Sequence, residues 1–438
     1  MQVQQFAFSS MARFCIVSVA LTAMTAVVSS AAAASVTFNK DVLPIMQNHC
    51  QECHRPGEVA PMSLINYQDA RPWAKSIRQA VLTKKMPPWF ADPHYGKFAN
   101  DRSLTQTDID TLVAWVDAGA PEGNAHDAPP PRKFAQGWTA GNPDLIVETP
   151  VAFNVPAKGE IPYQWVIVPS NLKEDKWVVS AEVRPTDRSV VHHIVVAIRE
   201  PGNPWMADKK YGEYFAGGLD LERGARLAGS PQAGGGTYFA QYEPGSVLKP
   251  IDPHFATLVK AGSDIVFQIH YTPNGKQTAD RTRIGLIFSD TPPDKRYYSL
   301  NPMNPTFVIP AGDPDYKVEA SATMNFDGEL TAIYPHAHLR AKAWEVRAIY
   351  PTGEEETVLK STYDFNWQLT FILDKPKFMP KGTKIVTDAW YDNSANNRYN
   401  PDPTKAVHWG EQSSDEMQIC TVTYVVDVNK KIELTLSQ

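Results

Sequence analysis

Two periodicities of hydrophobic positions divide this chain. From about Val36 to Gly123 apolar residues recur at three- and four-residue spacing, whereas beyond about Pro143 they come in short β-branched or alternating blocks. In the first region Val42, Ile45, Met46 and His49 follow helical spacing. Pro44 fits such a helix only in its first turn, where its missing N–H is an orphan position anyway, so the helix is predicted to begin near Asp41. A second helix is predicted after Thr105-Gln106-Thr107-Asp108, which resembles a capping box, with Ile109, Leu112, Val113 and Val116 as its apolar stripe and Gly119 as its stop. These signals predict a small all-α domain over residues 35–126. Pro129, Pro130 and Pro131 then predict a stiff linker over 127–142.

Downstream the blocks Trp165–Val168, Trp177–Ser180, His193–Ile198, Ile265–His270 and Thr421–Val426 are bounded by Pro, Gly or Asp, as strands are. The 36 prolines and 25 glycines spread among them predict many turns. The expectation is a multidomain chain in which the all-α domain is followed by two all-β sandwich, jelly-roll-like subdomains, over 143–295 and 296–438.

Composition permits this plan. A hydrophobic content of 43% with 11 tryptophans suffices for the cores. The net charge is −6, and no basic patch interrupts the sequence, which argues against nucleic acid as a partner. At the N-terminus Arg13, an apolar stretch from about Ile16 to Val28 and the small-residue run Ser29 to Ala34 read as a signal peptide over residues 1–34, so a periplasmic or secreted protein is expected. Cys15 would leave with that segment, and Cys50, Cys53 and Cys420 would remain. No other apolar run is long enough to span a bilayer, so the mature protein is not expected to be an integral membrane protein.

Those cysteines carry chemistry. Cys50-Gln51-Glu52-Cys53-His54 has the spacing with which two cysteines hold a c-type haem by thioether bonds while the following histidine ligates iron. Half of a zinc site or a redox dithiol would also use C-x-x-C, but no second cysteine pair follows and His54 is adjacent. Met86, stiffened by Pro87 and Pro88, is the preferred sixth ligand. Met62, His94, another ligand or an open position stand as alternatives.

The β region carries a different set of metal-binding side chains: His192 and His193, His270, His336 and His338, and Met417. They sit in Val190-Val191-His192-His193-Ile194-Val195, Gln268-Ile269-His270-Tyr271-Thr272-Pro273, Pro335-His336-Ala337-His338-Leu339-Arg340, Tyr391-Asp392-Asn393-Ser394 and Asp415-Glu416-Met417. In order and approximate separation this set resembles the copper type II, ascorbate-dependent monooxygenases, the family of the peptidylglycine alpha-hydroxylating and dopamine beta-monooxygenases, here fused to an N-terminal cytochrome c domain. The resemblance covers about Pro143 to Tyr424. It implies two β-sandwich subdomains, each with one copper, and dioxygen activated between them. His192, His193 and His270 would hold the electron-transferring copper, and His336, His338 and Met417 the copper where oxygen and substrate meet.

Strand geometry qualifies these assignments. His336 and His338, two apart, can face one side of a strand, whereas adjacent His192 and His193 point oppositely unless a bulge intervenes, so a strand irregularity is expected there. Gln268 shares the strand face of His270 and could orient a ligand or be an ordinary polar position. His254 and His408 match no ligand position. Two departures limit what carries over: lone Cys420 cannot supply the family's disulfides, and Ala337 stands where a larger residue is often seen.

The expected function is therefore a copper-dependent monooxygenase that hydroxylates an activated C–H bond of an unknown organic substrate with dioxygen. Its cofactors would be one covalent haem c as electron relay and two copper ions. Electrons would come from an external donor, ascorbate among the candidates. The alternatives are a haem and copper electron carrier without hydroxylase activity, and a binding module with vestigial metal sites.

Overall fold

The switch of hydrophobic period is a switch of structure. A computed structural model describes residues 36–135, 137–216, 237–244 and 252–430 of this protein, and the expected signal peptide lies outside them. The described chain is mostly β-sheet with a few short helices, all of them in the first region. A wide π-helical turn Phe38–Val42 leads into the helix Leu43–His49 with Pro44 in its first turn, as its missing N–H requires. The helix Ala74–Leu82, which the sequence reading did not anticipate, buries Ala74, Ile77 and Val81.

The helix Gln106–Asp117 is capped by a reciprocal box between Thr105 and Asp108 and stopped at Gly119, whose φ of +88° an L side chain would resist. Its stripe differs from the one expected. Ile109, Leu112 and Trp115 are the buried positions, and Val113 and Val116 only flank them. Trp115 takes the centre because its indole N–H reaches the Pro121 carbonyl at 3.0 Å, so the large ring is buried with its polar atom satisfied. The proline-rich stretch is also more than a spacer. Arg132 donates to the Gln47 carbonyl at 2.7 Å and pairs with Glu52 at 2.8 Å, folding the segment back onto the first helix.

All five expected strand blocks lie in strands, namely Gln164–Pro169, Lys176–Arg184, Val191–Arg199, Asp264–Tyr271 and Ile419–Asp427. One eight-stranded sheet runs Leu145–Glu148, Arg283–Phe288, Lys176–Arg184, Phe255–Val259, Lys295–Leu300, Ile419–Asp427, Gly328–His336, Phe371–Met379 in spatial order. The boundary expected near residue 295 falls in the middle of this sheet, where Lys295 and Arg296 pair in parallel with Phe255 and Ala256.

A five-stranded sheet centred on Gln164–Pro169, Asp264–Tyr271 and Val191–Arg199 covers one half of the large sheet, and a four-stranded sheet containing Ala341–Ile349 and Lys384–Tyr391 covers the other. Each half has its own core. Val166, Ile194, Val196, Phe267 and Ile269 of the five-stranded sheet meet Val178, Val183, Ile284 and Leu286 of the large one. In the other half Trp344, Val346 and Ala389 meet Leu330, Ile333, Cys420 and Tyr424.

The period of two along a strand sends every second side chain away from these cores. Trp165, His193, Val195 and Gln268 alternate out of the first core, while Tyr334, His336, Ile419 and Thr421 alternate out of the second. These two outward faces line one cavity between the halves, which buries side chains that an isolated sheet would expose to water. The first region is tied to the sheets by an ion pair of Glu58 with Arg188 and by an aromatic cluster of Trp89, Phe98 and Phe371 with centroids 5.3–6.0 Å apart. No helix among the described residues is long and apolar enough to cross a membrane.

Candidate metal centre

His192 and His193 open the strand Val191–Arg199, and the expected irregularity is present: the register against Asp264–Tyr271 shifts between Val191 and His193. The bulge turns both imidazoles the same way. Their Nδ1 atoms stand 3.1 Å apart, and His193 lies directly opposite His270 in the ladder. One ring nitrogen from each of the three histidines falls within 4.8 Å of the others. Two imidazole nitrogens at that distance match the ~3.3 Å separation of tetrahedral neighbours on an ion with metal–nitrogen bonds of about 2.0 Å.

Hydrogen bonding identifies the nitrogen that His192 and His270 leave free. The Nε2 of His192 faces the Phe365 carbonyl at 3.2 Å and must donate, so Nδ1 is its bare atom. The Nε2 of His270 lies 3.4 Å from the Ser413 hydroxyl, and its buried Nδ1 has no partner among the described residues. An unpartnered buried imidazole nitrogen is costly in a metal-free site and is satisfied by an ion.

The second set is built differently. His336 is the last residue of its strand, and His338 lies beyond the strand end, with ring centroids 5.4 Å apart. Because the chain has left the ladder, side chains hold it. The Glu416 carboxylate accepts from the backbone N–H of His338 at 2.8 Å and of Arg340 at 2.6 Å. The Tyr363 hydroxyl donates to the Ala337 carbonyl at 2.6 Å and accepts from its N–H at 3.1 Å. The Tyr391 hydroxyl fixes the Met417 carbonyl at 2.6 Å.

Here the free atom is the other nitrogen. His336 Nδ1 donates to Gln368 Oε1 at 2.6 Å, and His338 Nδ1 faces the Asp415 carbonyl at 3.4 Å. That leaves Nε2 on both rings, and the buried Nε2 of His338 has no partner among the described residues. Met417 is 4% exposed and, with His193 and His336, lines the cavity of about 90 Å³ between the two sheet faces.

The two sets, expected as separate sites in separate subdomains, adjoin: the His193 and His336 ring centroids are 5.4 Å apart. Burial pushes His192 and His336 down to about 4, and pushes His193, His270 and His338 well below the ordinary imidazole range. All five rings are therefore neutral at pH 7, the form that binds metal. Two soft–borderline donor sets, three imidazoles and two imidazoles with a thioether, suit copper in both oxidation states and Cu(I) respectively.

In the helical region Cys50 and Cys53 are both free thiols, and His54 Nδ1 faces the Met62 carbonyl at 3.2 Å. That contact makes Nδ1 the donor and leaves Nε2 free to accept or ligate. Burial pushes Cys50 up to about 12 and raises Cys53 as well, the opposite of a reactive dithiol. Of the candidates for the sixth position, Met62 meets His54 Nδ1 through its backbone carbonyl, which leaves its thioether uncommitted, and His94 is exposed and bound to Asp92 at 2.7 Å. Met86 is half-buried in the turn after Ala74–Leu82, its N–H on the Ala80 carbonyl at 3.3 Å.

Gln268 lines the cavity. His254 pairs with Asp294 on the surface and His408 ends a short edge strand, so neither joins the centre. The positioning groups Gln368, Tyr363 and Phe365 escaped the sequence reading, since they come from a connection between strands where no period marks them. Glu416 was visible only as the neighbour of Met417.

No family model matches the sequence, and no curated protein matches it. Among solved structures, the VP2 subviral particle of infectious bursal disease virus is similar at 7% identity and a TM-score of 0.19, over 66% of this chain and 73% of that one. Sulfolobus turreted icosahedral virus follows at 9% identity and 0.19, over 57% and 88%. Likenesses of this size carry no argument about fold or function.

Proposed function

We propose that this chain is an exported copper-dependent monooxygenase that hydroxylates an activated C–H bond with dioxygen, built from a cytochrome c-like domain and two jelly-roll-like β-sandwiches. The observation that carries the reading is the convergence of five neutral imidazoles, four of them buried, whose neighbouring ring centroids lie 5.1–5.4 Å apart, with His193, His336 and Met417 lining a cavity between two sheet faces. His192, His193 and His270 would hold one copper, and His336, His338 and Met417 the other. Bound copper would supply single-electron chemistry and oxygen activation, and a haem on Cys50, Cys53 and His54 would supply electrons.

The protein's own part is to orient and to exclude water. Glu416, Tyr363 and Tyr391 hold the backbone of the second set so that its ligands need no rearrangement. Trp165, Val195 and Ile419 keep the cavity wall apolar beside it, where an oxidising centre must not meet bulk water. Glu58, five residues beyond Cys53, pairs with Arg188, which precedes His192 by four, so the Cys50–Cys53 segment is anchored to the turn that leads into the strand of His192 and His193.

The deciding measurement is iron and copper content together, on protein from a host that matures c-type haem. One iron and two coppers per chain is the expected result, and substrate-dependent oxygen uptake should then be lost in Met417→Ile with the haem spectrum unchanged. Normal turnover in that variant would remove Met417 from the site. Iron with no tightly held copper would overturn the oxygenase and leave an electron carrier.

A further inference from the structure

Trp165 lines the cavity together with His193, His336 and Met417. A chain of contacts starts there and leaves the cavity. The Trp165 indole meets that of buried Trp205 edge to face, with centroids 6.0 Å apart and planes at 88°, within the contact range of paired aromatic rings. From Trp205 the buried guanidinium of Arg199 leads outward, donating to the Trp205 carbonyl at 2.8 Å and to the Tyr211 hydroxyl at 2.9 Å. Tyr211 is 55% exposed, and its hydroxyl donates in turn to Asp264 at 3.2 Å. Oxidisable rings thus run from the metal centre's cavity to the surface, and the last of them has a carboxylate within reach of its proton.

These rings differ in what oxidation costs them. An indole can lose one electron and keep its N–H, so Trp165 and Trp205 need no proton acceptor. A phenol loses its electron readily only where its proton leaves with it, and Asp264 is placed to take that proton. Arg199 is paired with Asp264 at 2.7 Å and keeps a donor on the phenol oxygen, so both partners stay in place during the transfer. An oxidising equivalent therefore moves downhill from Trp165 through Trp205 to Tyr211, the end that a soluble reductant can reach. Aromatic rings yield electrons only to strong oxidants, so this route does not compete with the delivery of reducing electrons from the Cys50–Cys53 side.

We propose that Trp165, Trp205 and Tyr211 form a protective relay that drains oxidising equivalents from the cavity when an oxidant formed there meets no substrate. In each pass Tyr211 gives an electron to Trp205 and its proton to Asp264, Trp205 refills Trp165, and the oxidant in the cavity is reduced by one electron. A one-electron reductant in solution, of the ascorbate or thiol class, then restores the Tyr211 electron, and Asp264 returns the proton. The relay spares Met417, His336 and Trp165, the side chains an unspent oxidant would attack, methionine by conversion to its sulfoxide. It rests on the oxygenase reading, which supplies the oxidant.

The test uses the full mature chain, haem-matured and copper-loaded, treated with limited hydrogen peroxide and a nitroso spin trap without substrate. Trapped and oxidised residues are then located by peptide mass spectrometry, and copper content is measured on the same preparation. The expected result is a trap adduct on Tyr211 that requires copper. Trp205→Phe should abolish that adduct and raise oxidation at Met417, His336 and Trp165 severalfold. Tyr211→Phe should raise the same cavity damage, and as a surface change it keeps the test valid if Trp205→Phe folds poorly. A Tyr211 adduct that forms equally without copper or survives Trp205→Phe overturns the proposal, as does cavity damage equal in wild type and both variants. Any of these with copper bound overturns the relay alone, whereas a chain that takes up no copper overturns the oxygenase and the relay together.

Discussion

The two histidine sets meet at one cavity, which His193 and His336 line, and are held by opposite means. His192, His193 and His270 belong to paired strands, so the backbone ladder places them and one bulge corrects their aim. His336 closes its strand opposite Ile419, whereas His338 and Met417 sit where the chain has left or has not yet entered a strand, and a network of Glu416, Tyr363, Gln368 and Tyr391 takes over from the ladder there. A ladder shares its strain over many bonds, whereas a side-chain network depends on a few buried groups whose loss leaves partners unsatisfied. The second set should therefore be the more fragile one, and the one whose geometry a single residue can alter.

The largest effect is expected from Glu416→Ala, which strips the His338 and Arg340 N–H groups of their acceptor. A loss of about 3–5 kcal/mol in urea unfolding is predicted, with copper content falling from two to one as the second site goes. Equal loss at both sites would show that the two sets form a single unit and would break the contrast.

Acid should act on the two sets alike. All five imidazoles have folded pKa values depressed below the ordinary 6.5. As pH falls from 6.5 toward 4, the unfolded chain takes up protons that the folded chain does not, so stability falls across that window by roughly 1.4 kcal/mol per histidine per unit. Glu416 works the other way. Burial raises its carboxyl to about 8, so the folded chain holds a proton between 4.5 and 8 that the unfolded one has released, and stability is gained as pH falls through 8. The linkage sums over the whole chain, so this gain offsets about one histidine's share of the loss whichever set that histidine belongs to. The urea midpoint of the copper-free protein should fall between pH 7 and pH 5, and His270→Ala and His336→Ala should each flatten the fall by about one histidine's share.

A smaller and more local effect is expected from Gln368→Leu. It removes the acceptor that holds the His336 proton on Nδ1, and also the Tyr334 hydroxyl's partner at 3.1 Å. Copper affinity of the second set should drop about 10–100-fold, with the first set unchanged by competitive chelator titration. An unchanged second set would mean that the strand end alone orients His336.

Much of this molecule follows from local pattern. The capping box at Thr105, the stop at Gly119 and the first-turn Pro44 act within a few residues, and each is realised. The five β-branched blocks became strands because side chains that alternate between two faces have one way to bury half of themselves. Even the bulge at His192 was legible, since two neighbours on a regular strand cannot reach one ion. The helix Ala74–Leu82 was missed because its sequence opens on Trp73 without a capping side chain. Trp115 was left out of its stripe because burial of so large a ring depends on the carbonyl of Pro121, an acceptor supplied by the turn rather than the helix.

The sequence alone determined which residues can bind metal and in what order they come, because ligand chemistry is a property of the side chain. It also determined the alternation that pushes those side chains off their own cores. Only the tertiary structure decided that the two outward faces meet, that His193 and His336 come within 5.4 Å, and that Glu411 and Tyr163 share their cavity. Those contacts join residues more than a hundred positions apart, and no short-range periodicity encodes them; they follow from the pairing of Lys295–Leu300 with Phe255–Val259 and Ile419–Asp427, which makes one sheet of two halves.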